Sequence, residues 1–200
     1  MGFDLYGLNP QNPNNAIKPE QMDWSKNPSD EEKDKYFDDM DKYQNEVVGD
    51  YFRNNVWFWR PLWDFVCYHC NGFLTPRDCS KGGSNSGEKI SKTKSIKIAK
   101  KLSRLIADGT VSHYEKEYAL GYEQANEHNA KVTEELNELK KRVYKETNKE
   151  LAPVDYPKKY KEEWDKIYAK TNWTGSYPFS AENVEEFAKF CEQSGGFEIC

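Results

Sequence analysis

The residues best suited to ligand chemistry lie in the segment 51–63, where aromatic rings are interleaved with arginines and asparagines. An aromatic ring can stack on a nucleobase, and a guanidinium can donate two parallel hydrogen bonds to a phosphate. Adjacent asparagines are costly to bury without hydrogen-bond partners, which favours a role at an accessible site. We therefore predict a site for an anionic, nucleotide-like ligand, formed by Arg53, Asn54, Asn55, Trp57, Trp59, Arg60 and Trp63.

A structural interpretation of the same segment stays open. In it the rings belong to the core, Arg53 and Arg60 pair with carboxylates, and the asparagines cap turns. If the segment is extended, side-chain alternation places Trp57 and Trp59 on one side and Arg60 on the other.

A loop rich in glycine and serine precedes a basic stretch and is a second candidate for anion binding. Gly82 and Gly87 have the spacing of the phosphate-binding loop of nucleoside triphosphatases, but Glu88 stands where that loop requires lysine. Because a carboxylate there repels phosphate, we reject that motif. We expect Asn85 and Lys89 to extend the ligand site, with a solvated loop as the alternative.

Cysteines between residues 67 and 79 offer zinc ligands at imperfect spacing. Cys67, Cys70 and Cys79 supply three thiols and His69 an awkward fourth ligand, whereas structural zinc sites use two well-separated pairs. We therefore expect no metal and no cofactor, with these cysteines as the ligands if zinc does bind. Five cysteines without an export signal indicate reduced thiols in a cytoplasm.

No catalytic constellation emerges, since none of the three histidines adjoins an obvious nucleophile. We expect a non-catalytic binding protein, and a nucleotide hydrolase is the alternative that turnover would reveal. The net charge is −5, and the basic stretch 81–104 contains no aromatic residue. Because single-strand binding combines cations with stacking rings, this pattern argues against nucleic acid as the partner.

Helical periodicity dominates the elements that must position these side chains. Capping residues predict helix starts at Ser29, Ser91 and Ser180. Pro61 suits a first helical turn and predicts another helix, from about Pro61 to Asn71.

The segment 111–150 carries a heptad seam over nearly four heptads, flanked by glutamate and lysine. Its seam residues are Tyr118, Tyr122, Ala125, Asn129, Val132, Leu136, Leu139 and Val143. We expect either a long helix that packs along the domain, with a break near Gly121 or Asn129 left open, or an arm that pairs with a partner or with a second copy.

Composition places these elements in one domain, residues 1–200. Leu, Ile, Val and Phe make up only 18% of the chain, but 29 aromatic residues can fill a core. We predict a mainly α fold with an aromatic core, the long helix, and at most a small β element that pairs the two ends. No apolar run approaches the ~20 residues that cross a bilayer, so we expect a cytoplasmic protein without a membrane partner.

Three blocks have a distinctive composition: Gly-Leu-Asn-Pro at 7–10, Tyr-Phe-Arg-Asn-Asn-Val-Trp-Phe-Trp-Arg-Pro-Leu-Trp at 51–63, and Ser-Gly-Gly-Phe-Glu-Ile-Cys at 194–200. With the segments 85–87, 106–110 and 177–180 they resemble an uncharacterised protein family of bacteriophages and bacteria. Some members carry a cysteine-rich insert before the final block, where this chain has its heptad segment instead, which further weakens the zinc interpretation.

The resemblance implies a phage-encoded protein that acts on host machinery in the host cytoplasm. By analogy with other small phage proteins, it would be a counter-defence protein that sequesters a signalling ligand. The alternative is a protein–protein inhibitor or scaffold that uses residues 111–150. The family brings no established activity.

Overall fold

The two ends of the chain lie side by side as the central strands of an antiparallel sheet. The computed structural model describes residues 2–200, in which four strands pair in the order β2-β1-β4-β3. The strands are β1 (Gly2–Gly7), β2 (Tyr51–Asn55), β3 (Glu88–Ser91) and β4 (Gly196–Ile199). The predicted pairing of the two ends is confirmed, since Leu5 lies opposite Ile199.

Most of the chain is helical, as predicted. The helices are α1 (Asp30–Glu46), α2 (Val56–His69), α3 (Pro76–Lys81), α4 (Lys92–Ala107), α5 (Thr110–Thr147), α6 (Lys158–Tyr168) and α7 (Ala181–Gln193). Short 3-10 turns occupy Trp24–Lys26, Pro153–Asp155 and Trp173–Ser176. Within residues 2–200, every helix is too short or too polar to cross a lipid bilayer.

The predicted helix starts are confirmed by their caps. The Ser29 hydroxyl accepts from the Glu32 backbone N–H while the Glu32 carboxylate accepts from the Ser29 N–H, which completes a capping box. Ser91 and Ser180 cap α4 and α7 in the same way, each accepting a backbone N–H three residues ahead.

The chain divides into two compact units. Unit 1 contains residues 2–114 and Phe179–Cys200, and unit 2 contains Glu115–Pro178. Unit 1 holds the sheet, whose inner face packs against helices α2, α4 and α7. Its core is strongly aromatic, and its fully buried side chains include Leu5, Trp59, Phe187, Phe190, Phe197 and Ile199. Burial of each such side chain contributes roughly 1.5–3 kcal/mol, so the predicted aromatic core is what holds unit 1 together.

Unit 2 is built on α5, which runs without a break past Gly121 and Asn129. The seam positions Val132, Leu139 and Val143 are buried and form one cluster with residues of α6 and the segment before it, namely Tyr156, Tyr160 and Ile167. The chain itself therefore covers this part of the heptad seam. In place of setting a helix-pair register, Asn129 donates to the Asn172 carbonyl and accepts from the Asn172 N–H, both at 2.8 Å.

Helix α2 begins five residues earlier than predicted. Asn55 caps it by accepting from the backbone N–H groups of Trp57 and Phe58, both at 3.0 Å, so Pro61 lies inside the helix. Proline removes one helical hydrogen bond, but Leu62 and its neighbours are buried and offset that loss. The predicted helix is therefore present, but it spans Val56–His69 rather than about Pro61 to Asn71.

Candidate functional site

The outer face of the sheet, opposite the helices, carries most of its polar side chains. Side-chain alternation places Phe3, Leu5 and Phe52 in the core and leaves their neighbours on the other face. We call this the polar face, and its residues are Asp4, Tyr6, Tyr51, Arg53, Lys89, Glu198 and Cys200. Backbone register lines up one row across the strands, from Tyr51 through Tyr6 and Glu198 to Lys89.

Two tyrosine rings form the aromatic part of the polar face. The rings of Tyr6 and Tyr51 lie 5.4 Å apart between centroids, at an interplanar angle of 42°, and 47% of Tyr6 is exposed. The Tyr51 hydroxyl donates to the Asp4 carboxylate. Burial raises the pKa of Tyr51, and the contact with Asp4 raises it further, while burial and then the Asp4 charge raise the pKa of Tyr6. Both phenols are therefore neutral near pH 7.

Two cations flank the rings, each in a loose ion pair. Arg53 Nε lies 3.6 Å from Asp4 Oδ1, and the Lys89 ammonium lies 3.3 Å from Glu198 Oε2. The side chains of Arg53 and Lys89 are 69% and 60% exposed, so water screens both pairs. Since Arg53 contacts Asp4 through Nε, its two terminal NH₂ groups remain available to an anion.

A groove runs along the edge of the sheet beside these residues. It has a volume of about 330 Å³, and Tyr51 and Arg53 line it together with Gln44 and Lys189. Strand β2 is an edge strand, so the groove adjoins unpaired backbone as well as these side chains. An aromatic pair, a guanidinium and a groove with amide and ammonium groups are thus contiguous in unit 1, and the Glu186 carboxylate also lines that groove.

The structure brings only some of the predicted ligand residues to this face. Trp59 and Trp63 stack on each other in the core, with centroids 5.3 Å apart and exposures of 0% and 4%. Their indole N–H groups donate to the carbonyls of Gly82 and Cys79, at 2.8 and 2.7 Å. These two tryptophans therefore lie in the core, where the structural interpretation places them, and present almost no ring surface to a ligand.

The predicted asparagines have local structural partners. Asn54 is buried and donates to Asn183 at 2.7 Å, which ties β2 to α7, while Asn55 caps α2. Asn85 donates to the Gly2 carbonyl at 2.5 Å at the end of β1. Trp57 and Arg60 are exposed on α2, so the alternation that an extended segment would give does not apply to them. Of the predicted set, Arg53 and Lys89 lie on the polar face.

Cys67, Cys70 and Cys79 do not assemble a metal centre. Across residues 2–200, side chains of His, Cys, Asp and Glu nowhere form a group of three that could hold a metal ion. Burial raises the pKa of Cys70 to about 12, and burial followed by a hydrogen bond with Cys79 raises the pKa of Cys67. Burial thus disfavours the thiolate form of Cys67 and Cys70.

Sequence reasoning missed Asp4, Tyr6, Tyr51 and Glu198 as members of the site. A signal was available in β1, where apolar Phe3 and Leu5 alternate with Asp4 and Tyr6. The sequence gives no comparable signal for Glu198, because its place beside Tyr6 depends on pairing between the two ends of the chain.

Comparison with protein-family models, curated proteins and solved structures gave no match to this chain.

Proposed function

We propose that this chain is a non-catalytic binding protein that holds an anionic, nucleotide-like ligand on the polar face. The observation that carries the proposal is the juxtaposition of the Tyr6 and Tyr51 rings with the exposed guanidinium of Arg53, beside the edge groove. The proposal keeps the ligand class predicted from the sequence, but it assigns the stacking role to tyrosines instead of tryptophans.

In this arrangement the base stacks on the exposed ring of Tyr6, and Tyr51 extends the platform. Arg53 contributes its terminal NH₂ groups to the phosphate, and Lys189 in the groove adds a second cation. Asp4 and Glu198 keep the face close to neutral, so stacking and bidentate hydrogen bonding, rather than net charge, supply the affinity.

Calorimetric titration of the full chain with adenosine monophosphate, adenosine and inorganic phosphate tests this proposal. Replacing Tyr6 by alanine removes a stacking partner worth about 1–3 kcal/mol, so we expect affinity for adenosine monophosphate to fall roughly 5- to 150-fold. Arg53→Gln should weaken binding of adenosine monophosphate and leave adenosine unchanged, because only the phosphate contact is lost.

Tyr68→Ala is the matched control, since Tyr68 is a 73% exposed tyrosine on α2, outside the polar face. It should bind like the wild type. Absence of binding by the wild type to all three probes, or equal loss in the Tyr68 and Tyr6 variants, would reject the proposal. Phosphate release above background from a nucleoside triphosphate would favour the hydrolase alternative.

The proposed physiological role is sequestration. A stoichiometric, non-turnover binder lowers the free concentration of its ligand, and the resemblance to a phage family suggests a host signalling nucleotide in the host cytoplasm. We keep the alternative, a protein inhibitor acting through residues 111–150, out of this proposal because α6 and its neighbours cover much of the seam.

A further inference from the structure

A second concave site lies in unit 2, at the carboxyl end of α5, and the function proposed above does not use it. The cavity has a volume of about 220 Å³. Helix α5 ends where Asn148 adopts a left-handed conformation with φ 54°, and the chain then turns back so that Leu151 and Tyr156 face the last turns of the helix. Val143, 1% exposed, lies beneath them.

The walls of this cavity are apolar and its rim is cationic. Leu151, Tyr144 and Tyr156 join Val143 in the lining, which suits a compact hydrophobic body such as one or two fused rings. Lys140, Lys141 and Lys149 also line it.

Two of the three rim lysines have no carboxylate partner. Lys141 pairs with Glu138 at 2.6 Å, whereas Lys140 and Lys149 form no ion pair with any carboxylate in residues 2–200. One of the terminal carbonyls of α5, which would repel an anion, is satisfied, because the Asn148 backbone N–H donates to the Tyr144 carbonyl at 2.8 Å. The lining therefore presents two lysines without an ion-pair partner, against the one carboxylate of Glu150, beside an apolar cavity.

We propose that this cavity binds a small amphiphilic monoanion, an aromatic or short aliphatic carboxylate or sulfonate, with its apolar body against Val143 and Leu151 and its anionic group between Lys140 and Lys149. Glu150 lies in the same lining and disfavours a second negative charge on the ligand. This site is separate from the polar face, which belongs to unit 1.

A pair of fluorescent probes of similar shape tests the proposal on the full chain. Anilinonaphthalene sulfonate carries the anion, and phenylnaphthylamine has the same ring framework without it. We expect the sulfonate to bind with one-to-one stoichiometry. The double variant Lys140→Gln, Lys149→Gln should lower the affinity for the sulfonate by about tenfold or more, and the affinity for the neutral probe should change less than about twofold. The two substitutions remove only the charge-assisted contacts with the anionic group, which the neutral probe lacks.

Leu151→Ala should weaken both probes, because it removes part of the apolar wall that they share. The charge-matched control is Lys145→Gln with Lys166→Gln, two exposed lysines outside the cavity, which should leave both affinities unchanged. Circular dichroism checks that each variant keeps its helices. Equal weakening by the two double variants, no effect of the Lys140 and Lys149 changes, or no one-to-one binding of the sulfonate would overturn the proposal.

Discussion

Arg53 shows how a single residue of β2 serves both the sheet and its outer surface. Its Nε lies 3.6 Å from Asp4, too far for a hydrogen bond, and an exposed ion pair of this kind contributes about 0–1 kcal/mol. The guanidinium is thus on the outer face of the sheet, and its ion pair with Asp4 does not occupy its hydrogen-bond donors. For the proposed ligand this means that its phosphate has no strong hydrogen bond of Arg53 to displace.

Asp78 is a buried carboxylate whose charge contributes to stability. It is 4% exposed and accepts hydrogen bonds from the Thr75 N–H and hydroxyl, at 2.9 and 2.6 Å, and from Lys94 at 2.6 Å. Burial alone would raise the pKa of Asp78, but these hydrogen bonds outweigh it and hold the pKa well below its ordinary value of 3.8. The carboxylate joins α3 to α4.

We predict that Asp78→Asn lowers the free energy of unfolding by about 1–3 kcal/mol at pH 7. Because the folded-state pKa is depressed, the contribution of Asp78 is fully present above its ordinary pKa of 3.8 and is lost as pH falls through the folded-state value. The difference between wild type and variant should therefore shrink as pH falls below about 4. Urea unfolding at a series of pH values measures it, and a pH-independent difference would contradict the assignment.

Among the elements, α5 has a weak point in the middle of its length. Gly121 lies inside this 38-residue helix, and a Cβ added there would meet no atom within 4 Å. Glycine in a helix interior costs roughly 0.5–1 kcal/mol relative to alanine. The residue is exposed, so no packing reason retains it.

We predict that Gly121→Ala raises the free energy of unfolding by about 0.5–1 kcal/mol, measured by loss of helical circular dichroism in urea. Gly109→Ala is the matched control, because that position is equally open but has φ +81°. There the same substitution should destabilise by about 1 kcal/mol, since a side chain is strained in left-handed backbone. If both substitutions changed the free energy of unfolding in the same direction, backbone conformation would not be what governs their effect.

The helices and the pairing of the two ends of the chain were predictable from the sequence, whereas β2 and β3 were not. Capping serines and heptad spacing are encoded within a few residues, so α1, α4, α5 and α7 could be placed from the sequence. Strands β2 and β3 are short, and they form because they pair with strands that are distant in the sequence. The early start of α2 was missed because it depends on the cap by Asn55. The polar face could not be predicted from the sequence for the same reason, since its two tyrosines come together only through the pairing of β1 with β2.

In the chain as a whole, unit 2 is inserted into unit 1. The chain leaves unit 1 after Tyr114 and re-enters it at Phe179, and these two rings contact each other with centroids 4.7 Å apart. Both rings also pack on Phe65, at 4.9 and 5.2 Å. Ends that lie this close are typical of an inserted segment, because the domain that carries it can fold with or without the insert.

We predict that replacing residues 115–178 by a short Gly-Ser linker leaves unit 1 folded, with its affinity for adenosine monophosphate within about twofold of wild type. The same deletion should abolish one-to-one binding of anilinonaphthalene sulfonate, because its cavity lies in the removed residues. Near-ultraviolet circular dichroism and titration measure both effects. An unfolded or aggregated product would show that unit 1 depends on the insert.

The placement of the tryptophans gives the molecule its own optical readout. Trp59 and Trp63 lie in the unit 1 core, whereas Trp24, Trp57 and Trp173 are each about half exposed. Indoles in an apolar interior emit at shorter wavelength than hydrated ones, and iodide in solution quenches only those that it can reach. Emission that survives iodide therefore comes mainly from Trp59 and Trp63, with a smaller part from the partly buried Trp164 of unit 2. It follows the folding of unit 1 without any label during a titration.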